Sequence, residues 1–397
     1  MASLSSGHDA TPNNSPPILM EDTTMSDSTT SATTAATTST ASGLLQRPSF
    51  VYQPPLTNPA EVRAEARRVI ANFLKSHTVY QLLPRSGKVV VFGVDIPVKL
   101  AFYALTEHGI PVAPIWDEET NTFVGVFTLT DFVEIIRYFY RHGSFTESLT
   151  AYSIHAWRSV QKELRKQTAK TGASAKATSG KGGDGSDVSF TKEDGMVSIG
   201  PEDTLFTACC KLRDHRVHYL PILDSGENRV LATVAHLAII QYLVREFKEP
   251  RRLFDQSIYE LGIGVFDNVV TVPQQTELIE VLNLLSQHNI SSVPVIDPTN
   301  GVVLDIYSRN MVVMLGKDST ADSLLRTVGE TVAVARESRE FSGTLSGLHT
   351  CTRTSSLHSV IMTFTSAKVY RLVCVDEKNG QCTGIITLRD LLNYFLE

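Results

Sequence analysis

Nowhere does this chain stay apolar for the roughly 18 residues that a membrane-spanning helix requires, so the sequence offers no membrane span. A basic excess is missing too. Thirty-six Lys and Arg face 42 Asp and Glu, for a net charge of −6. That balance leaves little to neutralise a phosphate backbone and argues against nucleic acid as a partner. Cysteine is scarce. The five residues are Cys209, Cys210, Cys351, Cys374 and Cys382, with no C-x-x-C pair among them. Most lie in apolar runs, which predicts small buried thiols in a reducing compartment. There is no H-E-x-x-H and no Cys/His ligand spacing, so no metal site is expected.

Enzyme motifs fail in the same way. SGKGG, from Ser179, has no glycine at the upstream position of a phosphate loop, and Gly182 follows Lys181 where Ser or Thr is needed. GTLSG, from Gly343, puts Leu345 at the nucleophile position of G-x-S-x-G. No catalytic residue is left to name, and an enzyme is not expected. The opening residues carry no apolar core of a secretory signal. Asp9, Glu21, Asp22 and Asp27 disfavour an acid-poor transit peptide. The expected setting is the cytoplasm, with the nucleus as a second location.

What the chain does have is repetition. One phrase returns four times: an apolar run ending in Asp, a polar turn, a second apolar run, and a polar cap opening a helix. The copies are APIWDEETNTFVGVFTLTDFVEII from Ala113, LPILDSGENRVLATVAHLAII from Leu220, VPVIDPTNGVVLDIYSRNMVVM from Val293 and LVCVDEKNGQCTGIITLRDLLNYF from Leu372. Upstream of each lies a short β-rich run (KVVVFGVD, DGMVSIGPED, NVVTVPQQ, HTCTRTSS) and then an amphipathic helix. In the third helix Leu278, Val281, Leu282 and Leu285 mark the apolar face. Each unit reads β-α-β-β-α, with a hairpin at the Asp turn. A unit this small must bury its apolar face against its sisters. The fold class is therefore α/β, with four tandem repeats in two stacked pairs, first with second and third with fourth.

The divisions follow. Residues 1–47 are Ser/Thr-rich and too poor in apolar anchors to fold, so they are expected as a disordered tail. Residues 48–76 form a docking segment and leading helix, with Asn58 as N-cap and Val62, Ala66, Val69, Ile70 and Phe73 on one face. The repeats span 77–145, 146–247, 248–318 and 319–397. A Gly, Ser, Ala and Lys stretch at 166–187 is expected as a flexible insertion.

The repeated phrase resembles the cystathionine-β-synthase (CBS) domain, which packs in pairs and often binds adenine nucleotides. Four copies with little else attached resemble the gamma subunit of AMP-activated, sucrose-nonfermenting-type protein kinases. FLKSHTVYQLLPRSGKVVVF, VGVFTLTDFVEII, SSVPVIDPTNGVVLDIYSR and VYRLVCVDEKNGQCTGIITLRDLL each carry that likeness. GIPVAPIWD is more similar to the plant-type branch. The resemblance implies a non-catalytic subunit that binds AMP, ADP or ATP. It also implies partnership with a catalytic alpha subunit and a scaffold beta subunit, the latter docking near residues 51–83.

It further implies site residues. An Asp at the start of the last helix of a repeat accepts ribose hydroxyls. Asp131 and Asp390 hold that position in copies one and four, His236 stands nearest in copy two, and Met311 in copy three lacks the acceptor pair. Arg216, His218, Arg371 and Ser291 fall at phosphate-facing positions. Tyr219 and Pro111 stand where relatives carry Arg. Thr128 and Thr387 precede the two acids in T-L-T-D and T-L-R-D. A helix N-cap with an acid in the first turn accounts for those strings without any ligand. Two rival readings stay open: a constitutive structural subunit with vestigial nucleotide binding, and a stand-alone sensor of another adenosyl ligand such as S-adenosylmethionine. His108, His215 and His288 recur at helix ends and read as C-terminal caps in preference to a metal trio.

Overall fold

The computed structural model of the chain describes residues 58–85, 89–143, 150–170, 196–224, 226, 228–248, 254–315, 321–337 and 347–397. The tail expected at 1–47 lies outside them. So do residues 48–57 of the docking segment.

Helix α1 (Pro59–Ser76) starts where Asn58 Oδ1 accepts from the Ala60 N–H at 3.0 Å. It buries Ala66, Ile70 and Leu74 at four-residue spacing. The first repeat supplies β1 (Phe92–Gly93), α2 (Val98–Glu107), β2 (Val112–Asp117), β3 (Thr122–Thr128) and α3 (Leu129–Arg141). Helix α4 (Ile154–Lys170) follows. Its last residues come from the stretch expected as a flexible insertion. Gln161 to Lys170 is rich in Lys, Glu, Leu and Arg, all strong helix formers. The rest of the insertion lies outside the described residues.

The second repeat supplies α5 (Leu205–Asp214), β4 (Tyr219–Asp224), β5 (Arg229–Ala235) and α6 (His236–Glu246). Its first strand is a single bridge from Ile199 to Ile222. After a short α7 (Ile258–Leu261), the third repeat supplies β6 (Val272–Pro273), α8 (Leu278–Gln287), β7 (Ser292–Ile296) and β8 (Val303–Ser308). It closes on a 3₁₀ turn, Arg309–Leu315, where the others have an α-helix. Helix α9 (Val328–Glu337) leads to the fourth repeat: β9 (Thr350–Cys351), α10 (Leu357–Ala367), β10 (Arg371–Val375), β11 (Cys382–Thr387) and α11 (Leu388–Leu396).

The four hairpins share fine detail. Each shifts register at the same place: Ile115/Trp116, Ile222/Leu223, Val295/Ile296 and Cys374/Val375. The recurring Asp follows in every copy. Asp117, Asp224, Asp297 and Asp376 accept from a backbone N–H two residues on, at 3.0, 3.0, 2.8 and 2.9 Å. These Asx turns explain why Asp recurs there. Ahead of each hairpin the first helix ends in a left-handed residue: Gly109 (φ 61°), Arg216 (φ 53°), Asn289 (φ 56°) and Lys368 (φ 54°). His108, His215 and His288 stand just before, as C-caps.

Pairing is enforced by exchanged segments. His77 O accepts from Leu205 N–H and Asp203 O from Val79 N–H, so the opening residues of the stretch expected as the first repeat complete the second. Tyr152 O accepts from Val98 N–H and Ile96 O from Ile154 N–H, so the opening residues of the stretch expected as the second complete the first. The third and fourth repeats do the same through Gln256 with Leu357 and Arg326 with Leu278. The packing thus cuts across the linear boundaries at residues 77–83 and 150–157. The helices then pack crosswise. One core merges repeats one and three, including Phe102, Phe139, Trp157, Leu282 and Tyr307. A second merges repeats two and four with α1, including Leu74, Leu212, Phe364 and Phe395. Two pairs are stacked in this way, and the corner from last strand to last helix of every repeat faces the centre.

Candidate functional site

Four corners of three chemical kinds meet there. In repeats one and four the corner is a capping box. Thr128 is the N-cap of α3, and Asp131 Oδ2 accepts from its N–H and its Oγ1 hydroxyl, both at 2.8 Å. Thr128 Oγ1 accepts in return from the Asp131 N–H at 3.3 Å. Thr387 and Asp390 repeat these three bonds at 2.8, 2.8 and 3.3 Å. Asp131 is 1% exposed and Asp390 is half-buried. Burial pulls the guanidinium of Arg158, from the exchanged helix α4, below its ordinary range, against attraction from Asp117 and Asp131.

Strand register places the equivalents. Val112 faces Thr128, Tyr219 faces Ala235, Ser292 faces Ser308, and Arg371 faces Thr387. The N-cap of the second repeat is therefore Ala235, and the residue matching Asp131 is Ala238. His236 corresponds to Leu129. Placing His236 at the Asp position is thereby corrected, because an apolar cap gave the sequence no polar marker from which to count. Met311 does match Asp131. Its Sδ accepts from the Ser308 N–H at 3.5 Å, which is the bond the carboxylate makes elsewhere.

A cavity of about 70 Å³ lies at this centre, room for several waters or one tetrahedral oxyanion. All four repeats line it: Thr128 and Pro111 from the first, His218 and His236 from the second, Ser291 and Arg309 from the third, Arg371, Arg389 and Thr387 from the fourth. Among the described residues three arginines and two histidines line it, and no Asp or Glu does. Arg371 Nη1 donates to the Ser291 carbonyl at 3.2 Å, tying the fourth repeat to the third. Arg309 is buried and donates to the carbonyls of Ile290 and Leu285, both at 2.9 Å. The His218 and His236 rings lie 5.7 Å apart. Burial, with His218 and Arg389 nearby, holds His236 well below its ordinary value of 6.5, so its ring is neutral at pH 7.

Of the residues expected from sequence, Thr128, Thr387, His218, Ser291 and Arg371 converge on this cavity. Asp131 and Asp390 sit one residue beyond its lining, at Thr130 and Arg389. Arg216 is not brought in. It is exposed at the left-handed turn that ends α5. Arg309, Arg389 and buried His236 were missed as cavity residues. They occupy the first two positions after the N-cap, and aligning the four N-caps would have exposed them. Among the described residues no His, Cys, Asp or Glu cluster suited to a metal ion occurs.

Comparison with known proteins now names the class. The CBS domain model matches residues 81–138, 190–245, 263–315 and 345–397. The chain belongs to the CBS domain family. Its curated relatives include the 5'-AMP-activated protein kinase subunit gamma of Dictyostelium discoideum, 33% identical over 339 residues, covering 84% of this chain and 53% of the relative. The human 5'-AMP-activated protein kinase subunit gamma-3 is 29% identical over 359 residues, covering 88% and 66%. The chain thus spans between about half and two thirds of the length of these relatives. A solved Methanocaldococcus jannaschii structure, described as a candidate archaeal homologue of g-AMPK, superposes with a TM-score of 0.58 at 14% identity. It covers 80% of this chain and 99% of its own, which supports the fold.

Proposed function

We propose that the chain is the non-catalytic, gamma-type regulatory subunit of an energy-sensing Ser/Thr protein kinase, and that AMP, ADP and ATP compete for clefts between its repeats. The observation that carries this reading is the four-repeat cavity lined by Arg309, Arg371, Arg389, His218 and His236, with no Asp or Glu in its lining among the described residues. Guanidinium forks grip phosphate oxygens in charge-assisted pairs. In this reading Arg371 and Arg389 hold the phosphates, with His218 and Ser291 beside them. Asp390 and Asp131 receive ribose hydroxyls. Repeats two and three, with Ala238 and Met311 at the equivalent positions, have no such acceptor. The partners are a catalytic alpha and a scaffold beta subunit, contacted in part through residues 51–83. Any change in kinase activity is limited by the nucleotide's differential affinity for the two states.

Titration calorimetry of the full chain with AMP and ATP tests this, beside Arg371→Ala, Asp390→Ala and Asp131→Ala. Binding that weakens sharply in Arg371→Ala supports the reading. A folded protein that takes up neither nucleotide at millimolar concentration overturns it. One observation favours a second reading, the constitutive structural subunit: both Asp131 and Asp390 already satisfy a helix N-terminus. In that case kinase assembly and activity ignore nucleotide entirely.

A further inference from the structure

Three of the five cysteines meet on one small sheet. Cys351 is on β9, Cys374 on β10 and Cys382 on β11. Cys351 and Cys374 are direct register partners across the parallel β9–β10 pair. Their sulfurs lie 3.2 Å apart, with both thiols free. Neighbouring strands stand about 4.8 Å apart, within the span that a disulfide accepts between Cα atoms. Cys382 belongs to the next strand and turns its thiol toward the Gly384 carbonyl, at 3.7 Å. The two members of the close pair differ in access. Cys374 is fully buried, whereas Cys351 is partly exposed.

We propose that Cys351 and Cys374 form a reversible, peroxide-driven disulfide, with Cys351 as the thiol oxidised first and Cys374 as its resolving partner. Exposure selects the first step. The Cys351 thiolate attacks a hydroperoxide oxygen, the O–O bond breaks, the leaving alkoxide or hydroxide takes a proton, and a sulfenic acid remains. Cys374 sulfur then attacks the Cys351 sulfur. The S–O bond breaks, and the Cys374 proton leaves with the departing hydroxide as water. Overall two thiols and one hydroperoxide give one disulfide, one alcohol or water, and one further water. Contact with Cys351, and then burial, push the Cys374 thiol far up, so it does not react with peroxide by itself. It becomes competent only against a sulfenic acid already in contact. A disulfide of this kind in a reducing compartment is transient and regulatory in character.

The crosslink closes a loop that contains the whole of α10, and it clamps β9 to the strand that begins with Arg371. The proposal does not depend on nucleotide binding. Its test is thiol counting and non-reducing peptide mapping of the full chain after brief hydrogen peroxide treatment. The expected result is loss of two of five titratable thiols, a Cys351–Cys374 linked peptide, and full recovery with a dithiol. Cys351→Ser should retain all four of its remaining thiols, and Cys382→Ser should still lose two. A wild-type count that stays at five overturns the proposal. So does a linked peptide containing Cys382, or a Cys351 that proceeds to sulfinic acid without crosslinking. Because wild-type mapping is itself decisive, a variant that folds poorly does not blunt the test.

Discussion

Repeats one and four start their last helix with Thr and Asp in a reciprocal capping box. Repeat two starts the same corner with Ala235 and no side-chain cap bond, and repeat three starts it with Ser308, whose N–H donates to the Met311 thioether. All four corners nonetheless follow hairpins bulged at the same register. The fold therefore does not require a carboxylate there. Only the α-helical form of the last element goes with it loosely: repeat two keeps an α-helix without the acid, while repeat three falls to a 3₁₀ turn. The acids of repeats one and four are therefore where a capping role and the proposed ligand-binding role have to be told apart.

The largest expected effect separates those two uses. Asp390→Ala and Arg371→Ala should each lower AMP affinity by about 10- to 100-fold, from loss of bonds worth about 1.5–3 kcal/mol to a charged group. Calorimetry reads this directly. An unchanged affinity in Asp390→Ala would reduce repeat four to a capped helix like any other. Next comes stability. Asp131 is buried and attracts Arg158, so Asp131→Ala should cost about 2–3 kcal/mol in urea unfolding. Asp390, half-buried, should cost only about 1 kcal/mol in the same experiment.

The carboxylate-free corners give smaller effects. The folded protein keeps His236 neutral, whereas the unfolded chain protonates it near 6.5. Below that value the unfolded state binds more protons. The contribution is thus fully present above about pH 6.5 and declines as pH falls toward the lowered folded value. Unfolding midpoints measured from pH 7.5 down to about 5.5 should fall less steeply in His236→Gln than in wild type. Smallest of all, Met311→Leu conserves volume at a buried site and should cost under about 1.5 kcal/mol. A much larger loss would mean that the sulfur contact to Ser308 holds the third corner together.

Much of this was legible in the residues. The repeated Asp, the β-α-β-β-α order and the helix faces follow from periodicity and turn chemistry, which act over a few residues. Asn58, Thr128 and Thr387 announced their caps for the same reason. The exchanged segments left no such trace. A backbone bond from Leu205 to His77 uses groups every residue possesses, so no side chain marks it. The crosswise cores were hidden likewise, since an apolar face does not name its partner. At the site, Arg371, Ser291 and His218 were readable through family likeness. Arg309 and Arg389 were not, because a cation after an N-cap looks like any solvated charge until the corners are brought together. Arg216, near His218 in sequence, lies instead exposed at a left-handed turn, outside the lining of the cavity.

Helix α1 has a last consequence, and it concerns synthesis. Its inner face belongs to the core shared with repeats two and four, and Arg67 pairs with Glu397 at 3.0 Å across a separation of 330 residues. In synthesis α1 is made well before α11 of repeat four, which together with α5 of repeat two covers that face. Meanwhile Ile70 and Leu74 stay available to chaperones and to neighbouring nascent chains. The half of the molecule built from repeats one and three has no such debt to the last helix, so it is positioned to fold first.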